Sequence, residues 1–204
     1  MGVETVRSFV AIELPVELKR ELDEVIGQLK SAGGQSGVKW VDPQSIHLTL
    51  KFLGDVTVDR LDGITAVLVE AARGIPRFRL AVAGLGVFPN PRSVRVAWVG
   101  VSGETDMLER LQRRVESALA HLGFAAESRR FTPHLTLARV RERASPQERQ
   151  RLGQLVGSTS FESRHGIGVD AVHLMRSQLT GRGAIYSRIS SVMLEGDNES
   201  SKYR

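Results

Sequence analysis

Two identical tetrapeptides carry the residue types that could do chemistry in this chain. They are His47-Leu48-Thr49-Leu50 and His134-Leu135-Thr136-Leu137, 87 positions apart (134 − 47). In an extended strand, side chains alternate between faces with a period of 2. Each His therefore shares a face with its Thr, while the two Leu turn toward a core. Two such strands brought together would offer two imidazoles and two hydroxyls to one small ligand. That is enough for a general acid, a general base and two hydrogen-bond donors. The chain has five His and nine Thr. Random placement on that composition gives two such His-x-Thr spacings in roughly 2% of arrangements.

Histidine is the side chain whose ordinary pKa, about 6.5, lets both protonation states coexist near neutrality. One imidazole can donate to a leaving oxygen while the other takes a proton from water. The Thr hydroxyls can bind non-bridging phosphate oxygens, and a nearby Arg or Lys can neutralise developing charge. This suits in-line opening of a strained phosphodiester, such as a nucleoside 2′,3′-cyclic phosphate, without a covalent nucleophile. The near-identity of the motifs leaves open which His is acid and which is base.

A metal site is the rival use of histidine. The sequence has no HExxH, no His-x-His and no His-Asp pair, and two His without carboxylate partners make a poor divalent cage. The absence of cysteine excludes disulfides, zinc thiolates and a thiol nucleophile. No Walker-type glycine loop is present; Gly84-x-Gly86 leads toward Pro89 rather than into a helix. The expectation is a chain with no metal and no cofactor.

The elements that must position the motifs repeat as well. Arg7–Leu14 reads as a buried strand, Pro15 as the first turn of a helix, and Leu18, Leu22, Val25, Ile26 and Leu29 as its apolar stripe. Gly33, Gly34 and Gly37 make a loop. Lys39–Val41 and Ile46–Phe52 return as strand. In the second half, Arg95–Val101 is strand and Leu108, Leu111, Val115, Leu119 and Leu122 form a helical stripe, with Gly123 as its stop. Ala11 precedes His47 by 36 positions and Ala97 precedes His134 by 37. Each motif strand is followed by a helix. One spans about 58–73, with Leu61, Ile64 and Leu68 inward. The other opens at Ser145-Pro146-Gln147-Glu148, a capping box with proline at the first helical position. Strand regions follow at Phe78–Phe88 and Phe161–Met175, then a turn at 180–183 and a strand at Ala184–Ile189. Pro89-Asn90-Pro91 marks the boundary between halves.

This pattern predicts an α+β, internally duplicated bilobal fold, with two antiparallel-rich sheets facing a central cleft and helices outside. It is read as one domain over residues 1–194, built from pseudo-repeats of about 7–88 and 92–190, with a polar, frayed C-terminal tail at 195–204. The composition, 41% hydrophobic and 25% charged, suits a soluble globule, and the net charge of +5 favours a polyanionic partner. The apolar run Phe9–Ile12 is too short for a secretory signal, no stretch could span a bilayer, and position 6 lacks the Ser or Thr of a myristoylation site. A cytoplasmic monomer without membrane association is expected.

The motifs and their surroundings resemble the bacterial and archaeal RNA 2′,3′-cyclic phosphodiesterases, also called 2′-5′ RNA ligases, of the two-histidine phosphoesterase superfamily. The resemblance rests on the paired His-x-Thr-x motifs and on RSFVAIELP at Arg7–Pro15, HLTLKFLG at His47–Gly54, GLGVFPNPR at Gly84–Arg92 and PHLTLARV at Pro133–Val140. It covers roughly residues 7–190. It implies metal-independent hydrolysis of RNA ends carrying a 2′,3′-cyclic phosphate to a 2′-phosphate, with possible reversible 2′-5′ ligation in which an RNA hydroxyl takes the place of water. It further implies His47 as proton donor, His134 as proton acceptor, and Thr49, Thr136 and Arg139 as substrate-binding residues. By strict alternation Arg139 would point away from His134, so the strand must bulge or end between them.

Two other readings fit the residues. One is a phosphodiesterase for a small nucleotide, such as ADP-ribose cyclic phosphate or a 2′-5′ oligonucleotide. The other is a non-catalytic RNA-binding module. Parity places Lys51 on the His47 face or leaves it solvated. Phe9, Trp40 and Phe131 could stack a base but are expected in the core. His121, His165 and His173 lack a following Thr and are read as surface or structural.

Overall fold

The computed structural model describes residues 4–33, 37–180 and 183–195. Nine strands and four helices alternate along them: β1 (Thr5–Ile12), α1 (Val16–Ser31), β2 (Val38–Trp40), β3 (Leu48–Thr57), α2 (Leu61–Ala72), β4 (Phe78–Phe88), β5 (Val96–Gly103), α3 (Thr105–His121), β6 (His134–Val140), α4 (Pro146–Ser158), β7 (Ile167–Val169), β8 (Ala171–Thr180) and β9 (Gly183–Met193).

The helix signals in the sequence act as expected, with small shifts. Pro15 sits one residue before α1, in extended conformation at the N-cap, rather than inside the first turn. Its fixed φ suits either place. Leu18, Leu22, Val25, Ile26 and Leu29 are buried, as a 3.6-residue stripe requires. Gly123 ends α3 with φ +83. Its N–H bonds Ala120 O and that of Phe124 bonds Leu119 O, the paired return bonds of a Schellman stop. Ser145 and Glu148 form the full capping box before α4, with Pro146 at the first helical position. Residues 58–60 form a short turn, so α2 begins at Leu61.

Strand pairing is antiparallel throughout the named ladders and divides into two sheets, of order β3-β1-β8-β9 and β2-β6-β5-β4-β7. The triplet β3-β1-β8 is matched by β6-β5-β4. Each half of the chain thus lends its strand after the second helix, β4 or β8, to the sheet of the other half. One apolar core draws on both sheets and on all four helices. α2 packs against α3, and β3 contacts β6.

Three expected boundaries change. Residues 161–166 are not strand, and the region divides into β7 and a longer β8. Strand β9 runs on to Met193 because its whole length pairs with β8. Glu195, expected in the frayed tail, is tied down by backbone bonds to Ile75 and Arg77. The rest of that tail, Gly34 of the glycine loop, and residues 181–182 of the expected turn lie outside the described residues.

Candidate active site

Alternation places the motifs as their sequence requires. Leu48, Leu50, Leu135 and Leu137 are buried, while His47, Thr49, His134 and Thr136 are half-buried on the opposite face. Each buried Leu contributes about 1.5–3 kcal/mol, so burial of the Leu set fixes which face the His and Thr occupy.

Both imidazoles are oriented by one device built from two different sequences. His47, the residue before β3, hydrogen-bonds through Nδ1 to Ser45 O at 2.8 Å. That carbonyl is delivered by the turn Pro43–Ser45, whose start is capped by Asp42 accepting from Gln44 N–H at 3.0 Å. His134, the first residue of β6, bonds through Nδ1 to Thr132 O at 2.7 Å. Pro133 restricts Thr132 to extended backbone. A carbonyl only accepts, so each Nδ1 carries the proton, and each Nε2 can accept a proton when neutral and donate one when protonated.

Aromatic side chains fix the rings further. Phe9 stacks on His47 with centroids 4.5 Å apart, and Tyr186 meets the same imidazole edge-on at 4.9 Å. Phe88 meets His134 edge-on at 5.1 Å, with Trp98 at 6.3 Å. Phe9 was expected in the core. It is buried, but on the motif face, in a small cluster with Ala11, Met175 and Tyr186. Trp40 and Phe131 do pack against the main core.

Trp98 explains a glycine that the sequence left without a role. Gly86 lies opposite Trp98, and a Cβ on Gly86 would fall 2.2 Å from the indole. Trp98 Nε1 is buried with no hydrogen-bond partner among the described residues. Trp98 also pairs with Thr136 as Ala11 pairs with Thr49. The counterpart of Ala11 is therefore Trp98 and not Ala97, and the spacing to the motif His becomes 36 in both halves (47 − 11 and 134 − 98).

Both motif strands bulge at the same position. Ala11 and Val10 face Thr49 and Lys51, so Leu50 is the extra residue in β3. Trp98 and Ala97 face Thr136 and Ala138, so Leu137 is the extra residue in β6. The bulge demanded by Arg139 is thus present, and it returns Arg139 to the Thr136 face. The same bulge corrects the parity expected of Lys51. That lysine turns inward, is 6% exposed, and pairs with Glu116 at 2.7 Å. It ties β3 to α3 and faces neither the site nor solvent.

The electrostatics link the sheets. Burial is the main influence holding His47 below the usual histidine value. The Ser45 hydrogen bond opposes it, Lys19 and Arg139 reinforce it, and Glu13 opposes it. Arg139 on β6 therefore acts on the histidine that precedes β3. Lys19 is held in place by donating to Gln44 O at 3.0 Å.

The remaining histidines lie elsewhere. His121 caps into α3 through Ser117 O, and His165 bonds Glu21. His173 is buried and bonds Ser191 Oγ at 2.9 Å, beside a cavity of about 490 Å³ that Glu13 and Arg188 also line. Among the described residues no cluster of three or more His, Cys, Asp or Glu could hold a metal ion, and no helix is long and apolar enough to cross a membrane.

The chain matches the LigT like phosphoesterase family over residues 12–98 and again over residues 99–186. It is 38% identical to an RNA 2′,3′-cyclic phosphodiesterase of Methanothermobacter thermautotrophicus, over 89% of this chain and 95% of that one. It is 34% identical to an enzyme of the same name from Thermotoga maritima, over 93% and 96%. A crystal structure from Thermus thermophilus superposes with a TM-score of 0.75 at 27% identity, covering 94% of this chain and 99% of that one. With two tandem family matches, relatives aligned along almost their full length, and paired motif strands in two antiparallel sheets, the chain belongs to the LigT-like phosphoesterase family.

Proposed function

We propose that this phosphoesterase hydrolyses the 2′,3′-cyclic phosphate at RNA ends to a 2′-phosphate, by histidine general acid–base catalysis without a metal ion. One observation carries the reading. Two imidazoles are locked by the same Nδ1-to-carbonyl bond, each leaving Nε2 free and each with a Thr hydroxyl on its own face. The named activity of the full-length relatives supports it.

In this reading His134 Nε2 takes a proton from water as the water oxygen attacks phosphorus. The bond from phosphorus to the ribose 3′-oxygen breaks in line, and His47 Nε2–H gives its proton to that oxygen. The products are a 2′-phosphate and a free 3′-hydroxyl, and exchange with solvent resets both rings. Thr49, Thr136 and Arg139 bind the non-bridging oxygens and the charge that builds on them. Proton donation needs His47 charged. A bound phosphate anion opposes the depressing influence of Lys19 and Arg139 and so moves His47 in that direction. Replacing water by an RNA hydroxyl runs the same step toward a 2′-5′ bond.

Residues 1–194 would act as one bilobal domain with pseudo-repeats of about 7–88 and 92–190, as a cytoplasmic monomer. The test is product analysis in EDTA on a short RNA ending in a 2′,3′-cyclic phosphate. A 2′-phosphate that is absent with His47→Ala supports the whole scheme. A 3′-phosphate product would reverse the leaving group. Activity lost in EDTA and restored by a divalent ion would overturn the metal-free chemistry.

A further inference from the structure

The bulge at Leu137 has a second effect, at the outer edge of its sheet. Arg139 pairs on one side with Val96 of β5 and on the other with Lys39 of the edge strand β2. Residues directly opposite one another in an antiparallel pair share a face, with Cβ atoms about 5 Å apart. Val96 alternates with Trp98 and Gly100 along β5, opposite Thr136 and His134. Lys39 and Arg139 therefore lie on the same face as the second motif. Their neighbours confirm the alternation, since Val38 and Ala138 are buried while Lys39 and Arg139 are exposed.

Like charges directly opposite each other destabilise a sheet. Here neither cation has a carboxylate within ion-pair distance among the described residues. An edge lysine alone can serve to discourage strand-to-strand association, but that role needs no arginine beside it. The pair makes sense if anions come to it. The reacting cyclic phosphate carries a single negative charge, which Arg139 meets from the motif side. Lys39 stands one strand farther out, away from His134. The matching row of the first sheet offers no such unpaired charge: there Phe52 and Phe9 stand side by side, with Met175 beyond, and Arg188 at the far end is paired with Glu13.

We propose that Lys39, beside Arg139, forms a second phosphate subsite that holds the phosphodiester one nucleotide upstream of the cyclic phosphate. The inference rests on the RNA-end reading above and deepens it: the enzyme would gain from substrate length. Lys39 touches no reacting atom and acts on binding.

The test compares a short RNA ending in a 2′-phosphate with a nucleoside 2′-monophosphate. Equilibrium binding of both is measured at two salt concentrations for the wild type, Lys39→Gln and Lys39→Arg. Turnover of the matching cyclic phosphates is measured beside it. Lys39→Gln is expected to weaken RNA binding about tenfold and to reduce the salt slope by about 0.7, the value for one phosphate contact on a single strand. KM for the oligonucleotide should rise with kcat unchanged. The mononucleotide should be unaffected, and Lys39→Arg should restore binding. An equal loss for both ligands, no loss for the RNA, or a wild type that binds RNA no tighter than the mononucleotide would each overturn the subsite. If the wild type binds RNA in this Lys39-dependent way yet turns over neither cyclic phosphate, the subsite stands and the phosphodiesterase reading fails.

Discussion

Phe52 and Arg139 are structural counterparts. Each lies five residues after its motif histidine, beyond a bulge at the second leucine of the motif, and each is exposed on the motif face. One repeat thus places an apolar ring where the other places a cation. The duplication supplies two similar halves, and this single position makes them differ in what they offer a ligand. An aromatic row suits a nucleobase and a cationic row suits phosphate.

Removal of either motif imidazole tests the acid–base pair. His47→Ala and His134→Ala should each lower kcat by at least about a hundredfold, the lower end of what general acid–base catalysis supplies. Neither ring belongs to the main core, which lies on the other face. Circular dichroism and the unfolding midpoint should therefore stay close to the wild type. Turnover within a few-fold of wild type in either variant would remove the pair from the mechanism.

Lys19 provides a test of which histidine is the acid. Burial chiefly, then Lys19 and Arg139, hold His47 below the ordinary value of 6.5. Lys19→Gln removes one depressing charge and raises the His47 pKa. A proton donor must be charged in the free enzyme, so at pH values around and above that pKa more of the enzyme is competent and kcat/KM should rise. If His47 is the base, which must be neutral, kcat/KM around and below that pKa should fall instead. The direction of the change in kcat/KM therefore separates the two assignments.

The packing of Trp98 on Gly86 gives a steric prediction. A Cβ at Gly86 would meet the indole at 2.2 Å, and the ring packs against Phe88 and His134. Gly86→Ala should cost about 1–3 kcal/mol of stability, as overpacking does, and should lower turnover by displacing His134. Combining it with Trp98→Leu should recover part of the stability. A double variant no more stable than Gly86→Ala alone would show that the clash lies elsewhere.

The sequence carried more of the elements than of their partners. Burial of the motif leucines, the α1 stripe, the Gly123 stop and the Ser145 capping box all follow from local periodicity or capping chemistry. The bulges at Leu50 and Leu137 do not, because a bulge exists only relative to a neighbouring strand. Arg139 exposed the need for one bulge, since the substrate-binding place that the resemblance implies for it conflicts with strict alternation from His134. Lys51 gave no such warning, because a lysine on either face is unremarkable until Glu116 is seen beside it. The exchange of β4 and β8 between sheets was hidden for the same reason: apolar alternation says that a strand is buried, not which strand it pairs with. Phe9 is buried as expected, but the face it packs on was hidden, because one buried face looks like another in sequence and β1 is covered on both.

Glu21 links α1 to the segment before β7 and should make stability depend on acid. This carboxylate on α1 is nearly buried, and it accepts from Ser163 Oγ, from the Arg164 backbone and guanidinium, and from His165 Nδ1 at 3.0 Å. Burial, the largest influence, raises its pKa. The hydrogen bonds from Ser163, His165 and Arg164 together outweigh it and bring the value from 4.5 down to about 2. A group whose folded pKa is depressed adds stability that is complete above the unfolded value and is lost as pH falls through the folded one. That contribution should therefore vanish between about pH 4.5 and pH 2. Glu21→Gln keeps the shape but not the charge. It should lower the unfolding midpoint at pH 7, and the gap from the wild type should close as pH falls through that window. Midpoints that stay equally far apart from pH 7 to pH 2 would show that the charge of Glu21 does not hold this contact.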